Sequence, residues 1–224
     1  MTFIAMVGDR NLAYESHRAI EATVALLQAD VDMRWVGTDD PNFQRTVERA
    51  DAVWALPGTP YVNDAAAYVA ITHARTTGQP FLGTCGGFQY AMVEYARNVA
   101  GWTGAGHAET EPDADELVVD HLACSLFGEQ RTVTMVPGTK LAQICGTAPF
   151  VGFHFCNFGV PDSQMARLVE HGVIVSAHTE DAGVEGIELL DHPFFVATLF
   201  QPQMAALHSE GVHKLVRALV EAGS

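Results

Sequence analysis

A cysteine flanked by glycines is the residue of this sequence best placed to carry out chemistry. Cys85 lies in the segment GTCGG (residues 83–87), which precedes a stretch where apolar side chains recur at helical spacing. A nucleophile displayed on a sharp strand-to-helix turn has this pattern, because small flanking residues leave room for a strained backbone. The helix N-terminus favours a thiolate, and the N–H of Gly86 points to where an oxyanion would form. A buried cysteine in a glycine-rich turn has the same pattern, and spacing alone does not separate the two interpretations.

The elements before Cys85 predict that it lies at the edge of a parallel sheet. Residues 3–7 and 52–56 are short apolar runs typical of buried strands, and Asn63 and Gly78 are suited to begin and end a helix. Strands that alternate with helices at this interval form a parallel sheet, and ligands bind at the carboxyl ends of its strands. We therefore expect Cys85 at that edge, with a positive φ.

The second half of the sequence predicts mainly strands, followed by a final helix. Residues 109–120 are acidic and contain Pro112, so most of this segment is predicted to be a solvated loop. Together the elements indicate one α/β domain that spans residues 1–224, with a mostly parallel central sheet flanked by helices. The predicted strands of this half are residues 132–136, 173–177, 186–190 and 195–199, and the inward positions of the final helix are Leu207, Leu215, Val216 and Leu219.

Composition excludes several classes of partner and site. The formal net charge is −15, and the two lysines, Lys140 and Lys214, form no basic cluster, so neither nucleic acid nor an anionic membrane is expected as a partner. The first apolar run is too short for a signal peptide or a membrane span, which predicts a cytoplasmic protein. The four cysteines form no CxxC pair, so no disulfide framework is expected.

Four segments resemble the class I (triad) glutamine amidotransferase domain of CTP synthase. PFLGTCGGFQYAMVEYARNVAG (residues 80–101) resembles its nucleophile segment, and residues 4–27 resemble its opening strand and helix. LPGTPY (residues 56–61) stands in place of its oxyanion loop, and residues 187–203 resemble the stretch that leads to the rest of the triad. The resemblance implies a flavodoxin-like, class I glutamine amidotransferase-like fold. No segment of this sequence resembles the synthetase half of CTP synthase. The resemblance therefore implies a stand-alone relative, of the kind called CTP synthase C-terminal-region-related.

The resemblance assigns roles residue by residue. Cys85 matches the nucleophile, and Gly86 follows it as an oxyanion donor. Glu109 falls where the family places a carboxylate that holds the α-amino group of the substrate; the alternative is that it only begins an acidic loop. The positions that the resemblance implies for substrate binding are Gly58, Thr59, Gly87, Gln89, Glu109 and His154.

Three parts of the family pattern are altered. The family ends its site with His-Pro-Glu, whereas this sequence has Gln201-Pro202-Gln203, and an amide cannot take a proton from a thiol near neutral pH. The arginine-rich segment that clamps the substrate carboxylate is FHFCNF here (residues 153–158), without an arginine. Thr59 and Pro60 replace a glycine pair in the oxyanion loop. The resemblance therefore implies a degenerate triad and poor glutaminase activity.

Histidines elsewhere are candidates for a substitute base or a metal site. His154 and His107 are the candidate bases, although a lone histidine is more often structural. The pairs His121 with Cys124 and His154 with Cys156 lack a second pair at zinc spacing, so no metal site is predicted. Both cysteines are instead expected to be packed or buried. No cofactor is predicted.

Three functions remain open from the sequence. The first is an enzyme of hydrolase or amidotransferase type, in which Cys85 acts on a small, less charged substrate such as an amide, thioester or aldehyde. The second is a non-catalytic module that binds a metabolite or docks on a partner protein. The third is a glutaminase with a substitute base. A small-molecule ligand near Cys85 is expected in each case, whereas the oligomeric state has no signal in the sequence.

Overall fold

The computed structural model describes residues 1–27, 31–180 and 183–224, and these residues form an α/β fold. The strands are β1 Thr2–Val7, β2 Val31–Val36, β3 Ala52–Ala55, β4 Phe81–Thr84, β5 Ala105–His107, β6 Glu116–His121, β7 Glu129–Met135, β8 Phe150–His154, β9 Phe158–Gly159, β10 Val173–Thr179, β11 Gly183–Leu189 and β12 Phe195–Thr198. The helices are α1 Glu15–Leu27, α2 Phe43–Glu48, α3 Asp64–Thr77, α4 Gly86–Asn98, α5 Lys140–Cys145, α6 Asp162–Glu170 and α7 Lys214–Ala222, with a 3₁₀ helix at Pro202–Ala206.

The main sheet is parallel in one half and antiparallel in the other. Within the described residues its strand order is β2-β1-β3-β4-β12-β11-β10-β7-β8. The pairings from β2 to β12 are parallel, and those from β12 to β8 are antiparallel. Helical crossovers account for the parallel half, whereas short connections between β10, β11 and β12 require antiparallel neighbours. The predicted α/β class is confirmed, and the sheet is a large mixed one.

Helices cover both faces of this sheet. Alternate residues along a strand face opposite sides, so Val53 and Phe81 pack with α3 and α4, while Trp54 and Leu82 pack with α1 and α7. Of the helices in the described residues, none is both long and apolar enough to cross a membrane.

Two sequence predictions hold only in part at the level of elements. In the segment 109–120, predicted to be mostly loop, residues 109–115 lie outside the strands, whereas residues 116–120 belong to β6, which pairs with β5 and β9 and buries Val118 and Val119. The final helix buries Leu215, Val216 and Leu219 as predicted, but Leu207 precedes it and is 40% exposed. The acidic residues of this segment favoured a loop, so the short strand β6 was not predicted.

Glycine is required where α4 begins, because helix and sheet backbones touch there. A Cβ at Gly87 would lie 2.2 Å from the carbonyl oxygen of Ala55 in β3, and a Cβ at Gly83 would lie 2.7 Å from the carbonyl oxygen of Gly87. Cys85 has a φ of 53°, as predicted for the turn. Its N–H donates to the carbonyl oxygen of Thr198 at 2.8 Å. The thiol is thus presented at the carboxyl ends of β4 and β12.

A buried ion pair fixes α4 against α3. Helix α3 is capped as predicted, with the side chain of Asn63 accepting from the N–H of Ala66 and Gly78 at a φ of 76°. From its last turn, Arg75 donates hydrogen bonds to both carboxylate oxygens of Glu94 on α4, the shortest at 2.7 and 2.9 Å. The Glu94 side chain is fully buried, so removing its cation would leave a buried charge without its main partner.

Replacing Arg75 is therefore expected to destabilise the fold far more than replacing an exposed arginine. We predict that Arg75→Met lowers the free energy of unfolding by about 3 kcal/mol, the cost typical of breaking a buried pair. The matched control is Arg34→Met, because Arg34 pairs with Asp32 at the surface, and this change should cost less than about 1 kcal/mol. Urea denaturation measures both; equal losses would contradict the role given to the buried pair.

Candidate active site

A cavity of about 390 Å³ lies at the elbow. Its polar lining combines groups from six separate parts of the chain, which the fold brings together around the thiol. Its apolar wall is largely aromatic, and Phe127 and Phe155 meet edge to face with ring centroids 5.7 Å apart. The lining includes Cys85, Gln89, Glu109, Cys156, Gln201, Tyr14, Phe127, Phe155 and Phe158.

The loop around Thr59, expected from the resemblance to be the oxyanion loop, lies over the first turn of α4. A Cβ at Gly86 would lie 2.4 Å from the Cγ2 methyl of Thr59, so the threonine methyl covers the residue expected to donate to an oxyanion. The Thr59 hydroxyl donates to the Glu109 carboxylate at 2.9 Å. Thr59 and Glu109, two of the residues expected to bind substrate, are therefore joined at the cavity wall.

His17 supports this loop, and sequence reasoning missed it. Its Nδ1 accepts from the N–H of Asn11 at 2.9 Å, so the proton is on Nε2, which donates to the carbonyl oxygen of Pro57 at 2.9 Å. A Cβ at Gly58 would lie 2.6 Å from that Nε2, and Gly58 has a φ of 101°. Burial lowers the pKa of His17, which keeps the ring neutral. The position of His17 on the apolar face of α1 was the feature of the sequence that could have indicated a buried, structural histidine.

Gln201 and Gln203 form an amide pair, and Gln201 lines the same cavity as Cys85. Both residues are buried, and Nε2 of Gln203 donates to Oε1 of Gln201 at 2.9 Å. Nε2 of Gln201 and Oε1 of Gln203 have no hydrogen-bond partner. Gln201 also lines the cavity, so an unpartnered donor belongs to a residue of its wall. Neither orientation of the two amides supplies a group that could exchange a proton with a thiol.

His107 links two cavity residues and does not line the cavity. Its Nδ1 accepts from the N–H of Glu109 at 3.0 Å, so Nε2 carries the proton and donates to Oε1 of Gln89 at 3.1 Å. Gln89 in turn donates from Nε2 to the carbonyl oxygen of Phe158 at 2.8 Å. Burial lowers the pKa of His107 to about 4. The candidate base is thus a neutral ring with both nitrogens engaged.

His154, expected to point into the pocket, lies instead in the interior. Its Nε2 is 2.8 Å from a carboxylate oxygen of Glu185, and both side chains are fully buried. The residue is not among those lining the cavity, whereas Phe155 and Phe158 from the same segment are. Side chains alternate between the two faces of β8. Gly152 and His154 face the interior, so Phe153 faces the opposite side, where its ring stacks on that of His208. Glu185 was not singled out from the sequence.

The cysteines differ in burial, and one of them lines the same cavity as Cys85. Cys156 is buried as predicted, whereas Cys124 is exposed and the prediction for it was wrong. Interaction with the side chain of Cys85 and burial raise the pKa of Cys156 well above its usual value. Cys145 is half-buried. Sequence spacing gave no sign that residues 85 and 156 line the same cavity.

A family model matches most of the chain, including Cys85 and the loop around Thr59. The model for class-I glutamine amidotransferases matches residues 14–210. The chain belongs to this family. A CTP synthase from Pyrobaculum aerophilum is 34% identical over 199 residues, which cover 83% of this chain and 37% of the relative. A CTP synthase from Methanopyrus kandleri is 34% identical, covering 89% of this chain and 41% of the relative.

Solved structures agree with this family assignment at the level of the fold. The glutaminase domain of a Trypanosoma brucei CTP synthase with bound acivicin superposes with a TM-score of 0.85 at 23% identity, covering 100% of this chain and 94% of that one. A glutamine amidotransferase from Thermotoga maritima gives a TM-score of 0.58 at 13% identity, covering 100% and 90%. The chain is thus a class I amidotransferase domain related to that of CTP synthase, and it spans about two fifths of those enzymes' length.

The neutral state of His107 predicts an acid-sensitive site. Folding lowers the pKa of His107 from 6.5 to about 4. As the pH falls, the unfolded chain therefore becomes protonated at this residue before the folded chain does. This contribution to stability is complete above pH 6.5 and is lost as the pH falls toward 4, at a cost of about 3 kcal/mol. His213, whose pKa burial also lowers to about 4, adds a similar amount.

The variant His107→Gln should remove roughly half of this acid sensitivity. A glutamine can accept from Glu109 and donate to Gln89 as the neutral ring does, but it does not titrate. Urea unfolding at a series of pH values between 7 and 4 measures the effect, with the exposed His178→Gln as control. A His107→Gln curve that parallels the wild type would contradict the neutral assignment.

Proposed function

We propose that this class I amidotransferase domain uses Cys85 as a nucleophile toward a small, less charged acyl compound and is a poor glutaminase. The observation that carries the proposal is the Gln201–Gln203 amide pair at the place of the triad's histidine and glutamate. The reaction is of hydrolase or amidotransferase type: the Cys85 sulfur bonds to the acyl carbon, and the amine or thiol departs. A neutral amide or a thioester is the substrate class that fits this arrangement best.

The missing base sets the expected loss in rate. Removing one member of a triad typically lowers the rate on the order of 10⁴-fold, because the remaining groups only bind substrate and stabilise the oxyanion. The two histidines considered as substitutes are engaged elsewhere, His107 with Gln89 and Glu109, and His154 with Glu185. A thioester tolerates this loss better than an amide, since a thiolate leaves without first taking a proton.

The cavity wall supports a less charged ligand than glutamine. Phe155 and Phe158 stand in the segment where the family has its arginines, and both line the cavity. One arginine, Arg18, lies in the lining, but its Nη1 donates to the carbonyl oxygens of Leu12 and Ala13. Loss of a charged hydrogen-bonding partner costs a substrate carboxylate about 2–3 kcal/mol.

Two polar groups remain to orient such a ligand. The unpartnered Nε2 of Gln201 is a donor suited to a carbonyl oxygen, and a buried donor without a partner is costly unless a ligand supplies one. The exposed carboxylate of Glu109, held by Thr59, is suited to an amino group or another donor. An acyl compound with a neutral or amine-bearing end satisfies both.

A binding module without catalysis is the second candidate. The observation that favours it is the Thr59 methyl over Gly86, which occupies space near the oxyanion donor. In this case the cavity would bind the same class of ligand and transmit its presence to a partner protein. A glutaminase with a substitute base is disfavoured, because neither candidate histidine lines the cavity.

Ammonia release from glutamine tests the proposal directly. We expect the wild type to release ammonia at a rate that Cys85→Ala does not reduce. The double variant Gln201→His with Gln203→Glu should gain little, because the substrate is still not held near the thiol. Adding Phe155→Arg to the double variant should be needed for a measurable gain.

The matched control is Phe153→Arg in the same double variant. Phe153 belongs to the same segment but stacks on His208 outside this cavity, so an arginine there should not rescue activity. Robust wild-type turnover of glutamine that disappears in Cys85→Ala would overturn the proposal. His154 and His107 would then be the first residues to replace.

A further inference from the structure

A second cavity adjoins that of Cys85, and Gln201 is the residue that the two linings share. Its volume is about 380 Å³, which is enough for a small organic molecule. The carbonyl oxygen of Phe153 accepts from the N–H of Gln201 at 2.9 Å, and Phe153 lines the second cavity alone. Apart from Gln201, the acyl chemistry proposed for Cys85 uses no residue of this second lining.

Aromatic rings form much of the wall of the second cavity. Phe150 and Phe200 meet edge to face with ring centroids 5.2 Å apart, and the ring of His213 lies 6.1 and 6.2 Å from them. Burial raises the pKa of Cys145 to about 11, so the wall has a neutral thiol there. A wall of this kind favours a ligand that carries a flat aromatic ring.

Two charged residues of opposite sign line this cavity. Lys214 and Glu210 are both exposed, and neither forms an ion pair with another residue that the structure describes. The ammonium group and the carboxylate are thus both available to a ligand. Charge complementarity therefore favours a small molecule that carries one group of each sign.

His213 adds a hydrogen-bond donor near Lys214. Its Nδ1 accepts from the N–H of Leu215 at 3.1 Å, so Nε2 carries the proton, and no described residue accepts from Nε2. Burial lowers the pKa of His213 to about 4, which keeps the ring neutral at pH 7. Lys214 is the first residue of α7, and the N-terminal end of a helix favours negative charge. This end of the cavity is therefore suited to a carboxylate.

We propose that the second cavity binds an aromatic α-amino acid. The aromatic ring of the ligand packs against Phe150 and Phe200. Its carboxylate binds at Lys214 and His213, and its ammonium group binds at Glu210. A ligand without the amino group would place its anion near an unpaired carboxylate, and one without the carboxylate would place its cation near an unpaired ammonium group. The site is separate from the acyl chemistry and does not depend on it.

Isothermal titration calorimetry of the full chain tests the ligand class. The probe is L-phenylalanine, and its matched analogues are 3-phenylpropanoate, phenethylamine and L-alanine, which lack the amino group, the carboxylate and the ring. We expect saturable binding of L-phenylalanine and weaker binding of each analogue. Absence of saturable binding, or equal affinity for L-alanine, would overturn the proposal.

Variants of the two charged residues test how the ligand is oriented. Lys214→Met should weaken L-phenylalanine binding on the order of tenfold but should not weaken phenethylamine binding, because that ligand has no carboxylate. Glu210→Gln should likewise weaken L-phenylalanine binding but not 3-phenylpropanoate binding. The matched controls are Arg217→Met and Glu221→Gln, exposed positions of α7 outside the lining, which should change neither affinity. Equal losses for all ligands in either lining variant would contradict the assigned orientation.

A further variant locates the site, because Glu109 in the cavity of Cys85 is also suited to an amino group. Glu109→Gln should leave the affinity for L-phenylalanine unchanged. If Glu109→Gln weakens binding and Glu210→Gln does not, the ligand lies beside Cys85 and the proposal is overturned. Neither result bears on acyl transfer, which is measured separately as Cys85-dependent thioester cleavage.

Discussion

The close contact between the first turn of α4 and strand β3 is the constraint on which the site depends. A Cβ at Gly87 would collide with the carbonyl oxygen of Ala55, so the helix can start only where the sequence supplies glycine. That contact, with the positive φ of Cys85, forces the thiol out of the sheet edge. The thiol then lines one cavity with Thr59, Gln201 and Cys156, which come from three other parts of the fold. Losing the contact would separate all of these groups.

Around this fixed thiol, the polar groups are arranged as neutral hydrogen-bonding links. His17 and His107 are each held in one tautomer, and burial lowers the pKa of both. One supports the oxyanion loop and the other joins Gln89 to Glu109. The pair of Gln201 and Gln203 is also neutral, and its two side-chain amides are joined by a hydrogen bond. Such a site can orient a ligand beside Cys85, which is the basis of the proposed function.

Local constraints were predictable from the sequence, and long-range ones were not. The elbow and the caps of α3 depend on residues that are neighbours in the chain, so glycine and asparagine positions were sufficient to predict them. The antiparallel half of the sheet depends on pairing partners that spacing does not specify. The cavity wall shared by Cys85 and Cys156 and the contact of His154 with Glu185 likewise bring together residues far apart in sequence. The buried β6 was missed because its few apolar residues follow a run of carboxylates.

The most direct test of the account compares two chloromethyl ketones, one with and one without the charged groups that identify glutamine. The chloromethyl ketone analogue of glutamine carries an α-amino and an α-carboxylate group, and chloroacetone lacks both. Rates of Cys85 alkylation are measured by mass spectrometry and divided by the rates with free glutathione, with Cys85→Ala as the blank. The account predicts that chloroacetone labels Cys85 faster and that the glutamine analogue shows no saturation. Saturable, faster labelling by the glutamine analogue would contradict it.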